Sequence, residues 1–325
     1  MRVAVVGAGR MGQLHVSILA GMKAVSELVV ADVDPYQAKA VAEGVGAEAV
    51  TNPMEAFDSV NAAVIATPAE THAALVKAAV GHGCPVLCEK PLAESLDAAI
   101  ELADYVDHSG VLARVGFQRR FDHGFRAARD AVIENRLGKL YLIRLQVTEP
   151  GLPPSPKTNL LRNTAIHDFD LVRWLSGQEV LSVYAAGAQR DKAIFDPRFD
   201  PDTIVASLTL TGGALAAVTV SRLSPLGYDV RGELVGSRDH VAVGWSNQTP
   251  VHSVERDSTI TGHERWHSWQ MRFEDAYRAE LRGFLEAVAG GTDSGAGVRD
   301  AVEAQRITEA ARMSLKLGAP VTLER

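Results

Sequence analysis

A glycine-rich turn near the start of the chain restricts the folds that the sequence can adopt. Gly7, Gly9 and Gly12 directly follow the apolar run Val3–Val6 and precede a segment with helical periodicity. In this context the first glycine permits a tight turn, the second a close approach of backbone to a ligand, and the third close helix–strand packing. The pattern predicts a βαβ unit whose helix begins at an anion-binding turn.

The residues around these glycines predict a dinucleotide site. Arg10 and Met11 lie between the second and third glycines, and Asp32 ends the next apolar run. An acidic side chain at this spacing can bind the two ribose hydroxyls of an adenosine. Because its carboxylate would repel a 2′-phosphate and no arginine follows in Val33–Pro35, the sequence favours NAD over NADP. Alternatively, the glycines form only a tight turn, Asp32 caps the next helix, and Arg10 faces solvent.

Apolar runs alternate with amphipathic segments over the first 117 residues, which is typical of a parallel sheet with crossover helices. The predicted strands are Val3–Val6, Leu28–Ala31, Ala49–Val50, Ala62–Ala66, Val86–Cys88 and Leu112–Phe117. The predicted helices include Tyr36–Glu43, His72–Val80 and Leu96–His108. We therefore expect a Rossmann-type doubly wound parallel sheet in a domain over residues 1–120.

The pattern changes after residue 120. A helical segment, Phe125–Glu134, precedes a strand-like run, Lys139–Val147, and β-branched runs then follow one another closely. These runs are Val180–Ala185, Thr203–Leu210, Leu215–Arg222, Asp229–Val235 and His240–Val243. Successive strands without intervening helices predict a large, mostly antiparallel open sheet. With closing helices at Glu274–Ala289 and Gly297–Leu317, residues 121–325 are predicted to form a second, α+β domain.

Composition excludes several classes of protein. The 33 basic and 40 acidic residues give a net charge of −7, so the net charge provides no general attraction to nucleic acid or anionic membranes. The apolar runs are too short to span a membrane. Cys84 and Cys88 flank an apolar pair in a predicted strand, which argues against a disulfide framework. Since a strand begins almost at Met1, we expect no signal peptide and a cytoplasmic protein with small-molecule partners.

Two clusters carry reactive side chains. The first places Lys90 beyond the carboxyl end of a predicted strand, where ligands bind in such sheets, and Pro91 disfavours helix there. By itself, such a lysine can equally be an ordinary solvated side chain.

The second cluster lies on a predicted helix, Asn163–Leu175, that is apolar almost all round. Steps of 100° place Asn163, His167 and Asp170 on one polar stripe. A lone core histidine is often structural. A buried polar stripe is costly unless it is hydrogen-bonded or lines a binding site, which favours a functional interpretation.

Together these motifs resemble a known family. They are Gly7–Gly12, Ala66–Pro68 with His72, Glu89–Pro91, Gly116–Asp122, Ile166–Asp170 and Tyr228–Ser237. The set is similar to the glucose–fructose oxidoreductase, inositol dehydrogenase and rhizopine catabolism (Gfo/Idh/MocA) family, and within it to inositol 2-dehydrogenases. The resemblance extends over nearly the whole chain.

The resemblance implies an NAD-dependent oxidoreductase of carbohydrate metabolism that oxidises a secondary alcohol of a sugar, inositol or related polyol. It implies a homotetramer or dimer assembled through the open sheet of a substrate-binding second domain. It also implies that Lys90 hydrogen-bonds the reacting oxygen and that His167 is the general acid/base, which suits a group titrating near neutrality. The implied cofactor-side residues are Thr67, Pro68, His72, Glu89 and Lys90.

Two features depart from the inositol dehydrogenase pattern. Those enzymes normally carry aspartate four residues before the histidine, where this chain has Asn163. An amide cannot support an imidazolium by charge, so we expect His167 to be a weaker base unless Asp168 or Asp170 substitutes. The usual substrate-loop segment is replaced by the proline-rich Thr148–Ser155, which argues against myo-inositol as the substrate.

Several cations are candidate substrate ligands. We hypothesise that Lys157, Arg162 and one of Arg119 or Arg120 bind an anionic or heavily hydroxylated sugar. They can equally be ordinary surface cations.

An aromatic-rich segment precedes the last predicted helices. Trp266 and Trp269 could stack on a sugar or pack between subunits. His263 and His267 have helical metal-ligand spacing but lack an evident third ligand, so no metal site is predicted.

Two other functions fit the same motifs. A relative of these dehydrogenases could oxidise a sugar transiently, allow elimination of an aglycone and return the hydride, so that NAD is recycled. Alternatively, the chain could be a non-catalytic dinucleotide-binding regulator.

Overall fold

The computed structural model describes residues 1–150, 159–190, 200–255, 257–258, 260, 264–292 and 294–323. The strands are β1 (Arg2–Val6), β2 (Glu27–Ala31), β3 (Glu48–Val50), β4 (Ala62–Ile65), β5 (Val86–Glu89), β6 (Ala113–Gly116), β7 (Leu140–Thr148), β8 (Val180–Ala188), β9 (Thr203–Leu210), β10 (Leu215–Ser221), β11 (Asp229–Gly236), β12 (His240–Val243), β13 (Ala296–Gly297) and β14 (Val321–Thr322). The helices are α1 (Arg10–Ala20), α2 (Pro35–Glu43), α3 (Pro53–Phe57), α4 (Ala69–Gly81), α5 (Leu96–Ser109), α6 (His123–Ile133), α7 (Ile166–Ser176), α8 (Trp269–Val288) and α9 (Val298–Leu317).

Contacts divide the described chain into two units. The first contains Met1–Phe121 and Asp275–Glu303, and the second contains Asp122–Glu274 and the rest of the chain from Ala304. One boundary lies between Phe121 and Asp122, and the other two fall inside α8 and α9. The sequence-based division at residue 120 stays a prediction, because a grouping by contact does not say which segments fold independently.

The first unit contains the predicted Rossmann-type sheet. Its order is β13-β6-β5-β4-β1-β2-β3 among the described residues, and every pair from β6 to β3 is parallel. The central strands β1 and β4 are buried along nearly their whole length, as expected when helices cover both faces of a parallel sheet. The predicted strands of residues 1–117 are thus confirmed within one or two residues at each end.

Two elements of the first unit were not predicted. The short helix α3 has Asn52 as its N-cap, whose side chain accepts a hydrogen bond from the Met54 N–H. β13 pairs antiparallel with β6, and the predicted helix at Gly297 begins one residue later. Two-residue strands carry too little periodicity to be recognised in a sequence.

The second unit contains the predicted open sheet, in the order β12-β11-β7-β10-β9-β8-β14 among the described residues. Its pairs are antiparallel except β7 with β10. Buried residues alternate with mostly exposed ones along β9 and mostly half-buried ones along β10, so among the described residues one face of the sheet lies in the core and the other is accessible to solvent.

The predicted helix Asn163–Leu175 is wrong at its beginning. Residues Leu161–Ala165 form a π-helical turn, and α7 starts only at Ile166. The Ile166 N–H donates to the Leu161 carbonyl, five residues back, which widens the turn by one residue. The 100° step therefore does not apply at Asn163, although His167 and Asp170, three residues apart in α7, share one face.

No helix among the described residues is long and apolar enough to cross a membrane. Cys84 and Cys88 are free and buried. Burial raises the pKa of the Cys84 thiol to about 11, and burial together with the charge of Glu89 raises that of Cys88.

Candidate active site

The glycine turn has the geometry that its sequence predicts. Gly7 adopts φ +101°, and a Cβ there would lie 2.8 Å from the Ala66 carbonyl atoms. A Cβ at Gly12 would collide with the Gly7 carbonyl oxygen, so only glycine lets α1 pack this closely on β1. A Cβ at Gly9 would meet nothing within 4 Å. The outer side of Gly9 is thus open to a ligand at the N-terminus of α1.

Asp32 joins the end of β2 to this turn. Its Oδ2 accepts a hydrogen bond of 2.6 Å from the Ala8 N–H, and its Oδ1 accepts one of 2.9 Å from the Asp34 N–H. The N-cap of α2 is Asp34, so the alternative that Asp32 caps this helix is wrong. Each carboxylate oxygen of Asp32 has a second lone pair, with which it can still bind a ribose hydroxyl.

Arg10 and Met11 start α1, with Arg10 exposed and Met11 half-buried. An arginine at this position is within the first helical turn, where a phosphate is expected. Both residues stay predicted cofactor ligands.

A buried histidine ties together the turns that follow β4 and β5. His72 is 1% exposed, and its Nε2 lies 2.8 Å from the Thr67 carbonyl oxygen, while its Nδ1 lies 2.7 Å from that of Pro91. Since carbonyl oxygens only accept, both contacts are hydrogen bonds only when both ring nitrogens carry hydrogen. The ring is thus held between two backbone carbonyls, and His72 stays a predicted cofactor-side residue.

The other residues of these turns lie close by in the chain. Thr67 Oγ1 accepts a hydrogen bond of 2.7 Å from the Thr71 hydroxyl, and Pro68 is the N-cap of α4. Lys90 follows β5 and is half-buried, with a cis peptide bond to Pro91.

Glu89 has a partner that the sequence did not reveal. Its Oε1 lies 2.8 Å from Nε2 of His15 in α1. Burial alone would raise the pKa of the Glu89 carboxyl, but the hydrogen bond from His15 and the charges of His15, Lys90 and His72 lower it below its usual value. The sequence held one signal: His15 follows Gly12 by three residues, so it lies on the helix face that packs inward, where a polar side chain needs a partner.

The predicted acid/base residue lies in the second unit. His167 is the second residue of α7 and is 7% exposed, and Asp168 and Asp170 are buried on the same helix. Asn163 is half-buried inside the π-helical turn, and its N–H donates to the Asn159 carbonyl at 2.8 Å. π-Helical turns are frequent at functional sites.

Distant carboxylates hold the π-helical turn at both ends. The Leu160 N–H donates to both oxygens of Asp200 at 2.9 Å, and the Thr164 hydroxyl donates to Glu149 Oε1 at 3.0 Å. Asp200 also forms an ion pair with Arg222. Burial raises the pKa of the Asp200 carboxyl, and the charge of Glu149 raises it further. The hydrogen bond from Leu160 and the charge of Arg222 act in the opposite direction, but the pKa stays above its usual value. These supports were not predicted.

The side chains predicted to bind substrate through a positive charge differ in their burial and in their partners. Arg119 is 1% exposed, and the buried Arg120 forms an ion pair with the half-buried Asp300 at 3.1 Å. Arg162 is half-buried, with its N–H bonded to Asn159 Oδ1. Lys157 lies outside the described residues.

The tryptophan segment is only partly described. Trp269 begins α8, and the Trp266 carbonyl accepts a hydrogen bond from the Tyr228 N–H at 2.8 Å. His263 lies outside the described residues. Among the described residues, no group of His, Cys, Asp and Glu has a metal-binding arrangement.

Comparison with known proteins decides the family. Residues 1–117 match the model of an oxidoreductase family with an NAD-binding Rossmann fold, and residues 129–323 match the C-terminal α/β domain of the same family. The chain belongs to this Gfo/Idh/MocA family. It is an NAD-binding dehydrogenase, and its similarity to this family, predicted from the motifs, is confirmed.

Individual relatives of the Gfo/Idh/MocA family match over the full length. Myo-inositol dehydrogenase Hyg17 of Streptomyces leeuwenhoekii is 34% identical, covering 98% of both chains. Inositol 2-dehydrogenase of Rhizobium meliloti is also 34% identical, covering 97% of both. The crystal structure of a myo-inositol dehydrogenase from Corynebacterium glutamicum superposes with a TM-score of 0.89 at 30% identity, covering 100% of this chain and 99% of that one.

The residues of the first unit fit NAD. The open side of Gly9, the α1 N-terminus and the remaining acceptor capacity of Asp32 match the pyrophosphate and the ribose hydroxyls of that cofactor. The individual contacts of the cofactor stay predictions.

Substitution of two glycines separates folding from cofactor binding. We expect Gly9→Ala to keep the wild-type melting temperature, because its Cβ meets no protein atom, but to weaken NAD binding about tenfold or more by blocking the pyrophosphate. Gly12→Ala should both weaken NAD binding and lower the melting temperature, because its Cβ would collide with the Gly7 carbonyl oxygen. Fluorescence titration with NAD and thermal unfolding measure both effects, and wild-type NAD affinity in Gly9→Ala would contradict the assignment.

Proposed function

We propose that this dehydrogenase oxidises a secondary alcohol of an inositol, sugar or related cyclic polyol, with Lys90 and His167 acting at the reacting oxygen. The observation that carries the proposal is full-length similarity to proteins named inositol dehydrogenases in a chain that keeps both side chains in the family's motifs. NAD, when bound, accepts the hydride from the alcohol carbon.

The proposed chemistry divides between the two side chains. As the carbon loses hydride with its electron pair, the hydroxyl loses its proton and a carbonyl forms. His167 takes that proton, since an imidazole titrates near neutrality. The Lys90 ammonium stabilises the negative charge that develops on the oxygen.

Further residues are proposed to bind the substrate. Asn163 would hydrogen-bond a hydroxyl, and Lys157 or Arg119 would bind an anionic or heavily hydroxylated group. Because Arg119 is almost completely buried, it would bind only a substrate group that enters the protein interior.

The open sheet supports a proposed homo-oligomer, a dimer or tetramer. Tyr184, Val205 and Leu215 lie on its uncovered face with 42–52% of their surfaces exposed. They lie on the three adjacent strands β8, β9 and β10, where Tyr184 pairs with Ser207 and Leu215 pairs with Thr209, residues on the same face of β9 as Val205. An apolar group of this kind is typical of an association surface. We also place the enzyme in the cytoplasm, where its two free thiols stay reduced.

The experiment that tests the function measures NADH absorbance with purified enzyme, NAD and a panel of inositols, aldoses and uronates. Net reduction of NAD by at least one polyol is expected, and His167→Ala should lower kcat about 10²–10⁴-fold. The exposed His108→Ala is the matched control. No reduction of NAD with any compound, or full activity of His167→Ala, would overturn the proposal. NAD that stays bound through purification while an aglycone is released would instead support the recycling function.

The amide of Asn163 gives a second test. We expect Asn163→Asp to move the acidic limb of the kcat/KM pH profile upward by about one unit, because in the proposed site residue 163 lies close to His167, where a carboxylate favours the imidazolium form. Asn52→Asp, which keeps a good cap on α3, is the control. An unchanged acidic limb would show that Asn163 does not act on His167.

A further inference from the structure

Two buried histidines bracket Lys90. His15 contacts the side chain of the residue before it, with 2.8 Å between Nε2 and Glu89 Oε1. His72 contacts the residue after it, with 2.7 Å between Nδ1 and the Pro91 carbonyl oxygen. Both rings are almost completely buried. The backbone that presents Lys90 is therefore tied to α1 on one side and to α4 on the other.

The Glu89 carboxylate packs against a glycine of the neighbouring strand. Its pairing neighbour on β6 is Gly116, where a Cβ would lie 3.1–3.3 Å from the carboxylate atoms. An ionised carboxylate that is only 9% exposed is costly unless it is hydrogen-bonded. His15 supplies that hydrogen bond, and it must carry its proton on Nε2 to do so.

The groups that face this pair come from several elements. His15 and His72 approach Glu89 from α1 and α4, and Lys90 and the Cys88 thiol flank it along the chain. The ring of Tyr277 meets His15 edge-on, with 6.0 Å between centroids. His15, Lys90 and His72 all favour the ionised form of Glu89, and together they lower the pKa of its carboxyl despite burial.

The attraction between Glu89 and Lys90 acts on both partners. A positive charge that favours the carboxylate is itself favoured by the carboxylate to the same extent. If Glu89 became neutral, Lys90 would lose this support and release its proton more readily. A neutral lysine cannot stabilise charge on an oxygen as an ammonium does.

We propose that His15 and Glu89 form a positioning pair for Lys90: His15 keeps Glu89 ionised, and Glu89 keeps the Lys90 side chain charged at the carboxyl end of β5. Neither residue touches the reacting atoms. The inference rests on the proposed function, in which the Lys90 ammonium stabilises the reacting oxygen. It also connects the helix of the glycine turn directly to the reactive lysine.

The test is the pH dependence of Lys90 acylation, measured by competitive labelling with acetic anhydride and mass spectrometry of its peptide. Only the neutral amine reacts, so the midpoint reports the charge of Lys90 without any substrate. We expect Glu89→Gln and His15→Phe to lower this midpoint by about one pH unit. His15→Gln, which can still donate to Glu89, should restore the wild-type midpoint, and the exposed Glu43→Gln is the matched control.

Equal midpoints in wild type, Glu89→Gln and His15→Phe would overturn the inference. So would a His15→Gln midpoint as low as that of His15→Phe, because the ring itself and not its hydrogen bond would then matter. If Glu89→Gln does not fold, the two His15 variants carry the same comparison. A failure of the proposed function shows separately, as absence of hydride transfer in wild type.

Discussion

The close packing of α1 on β1 is the constraint on which the first unit depends. It exists because position 12 has no side chain, so that the first turn of the helix lies directly against the Gly7 carbonyl oxygen. This contact places the α1 N-terminus and the open side of Gly9 at the carboxyl ends of the strands, where pyrophosphate binds in such folds. The same placement brings His15, one turn later, within hydrogen-bonding distance of Glu89.

Long-range polar contacts then hold the turns of this unit to one another. Asp32 joins the turn after β2 to the glycine turn, and His72 joins the turns after β4 and β5. Each turn is therefore fixed by a neighbour as well as by its own strand. Such mutual support keeps the predicted cofactor site and Lys90 in a defined geometry before any ligand arrives.

Local patterns were sufficient to predict most of the fold. The alternation of apolar runs and amphipathic segments gave the parallel sheet, and the β-branched runs gave the open one. The glycine spacing and Asp32 pointed to NAD, and the motifs around Lys90 and His167 pointed to the family. Each of these signals is a short motif, a local periodicity or a fixed spacing along the chain, which is why a sequence can display them.

The features that escaped prediction depend on distant partners or on a single shifted residue. The π-helical turn at Leu161–Ala165 differs from an α-helix by one residue per turn, and Asp200 and Glu149 support it from elsewhere in the chain. The Arg120 ion pair with Asp300 joins residues 180 positions apart. Sequence spacing carries no record of such contacts, so the polar partners of the site appear only in the structure.

The first unit is expected to bind NAD through the glycine turn and Asp32. Calorimetric titration of the wild-type protein with NAD and with NADP tests it most directly. We expect NAD to bind at least about tenfold more tightly, because the Asp32 carboxylate accepts from ribose hydroxyls and repels a 2′-phosphate. Equal affinity for the two cofactors, or tighter binding of NADP, would contradict it.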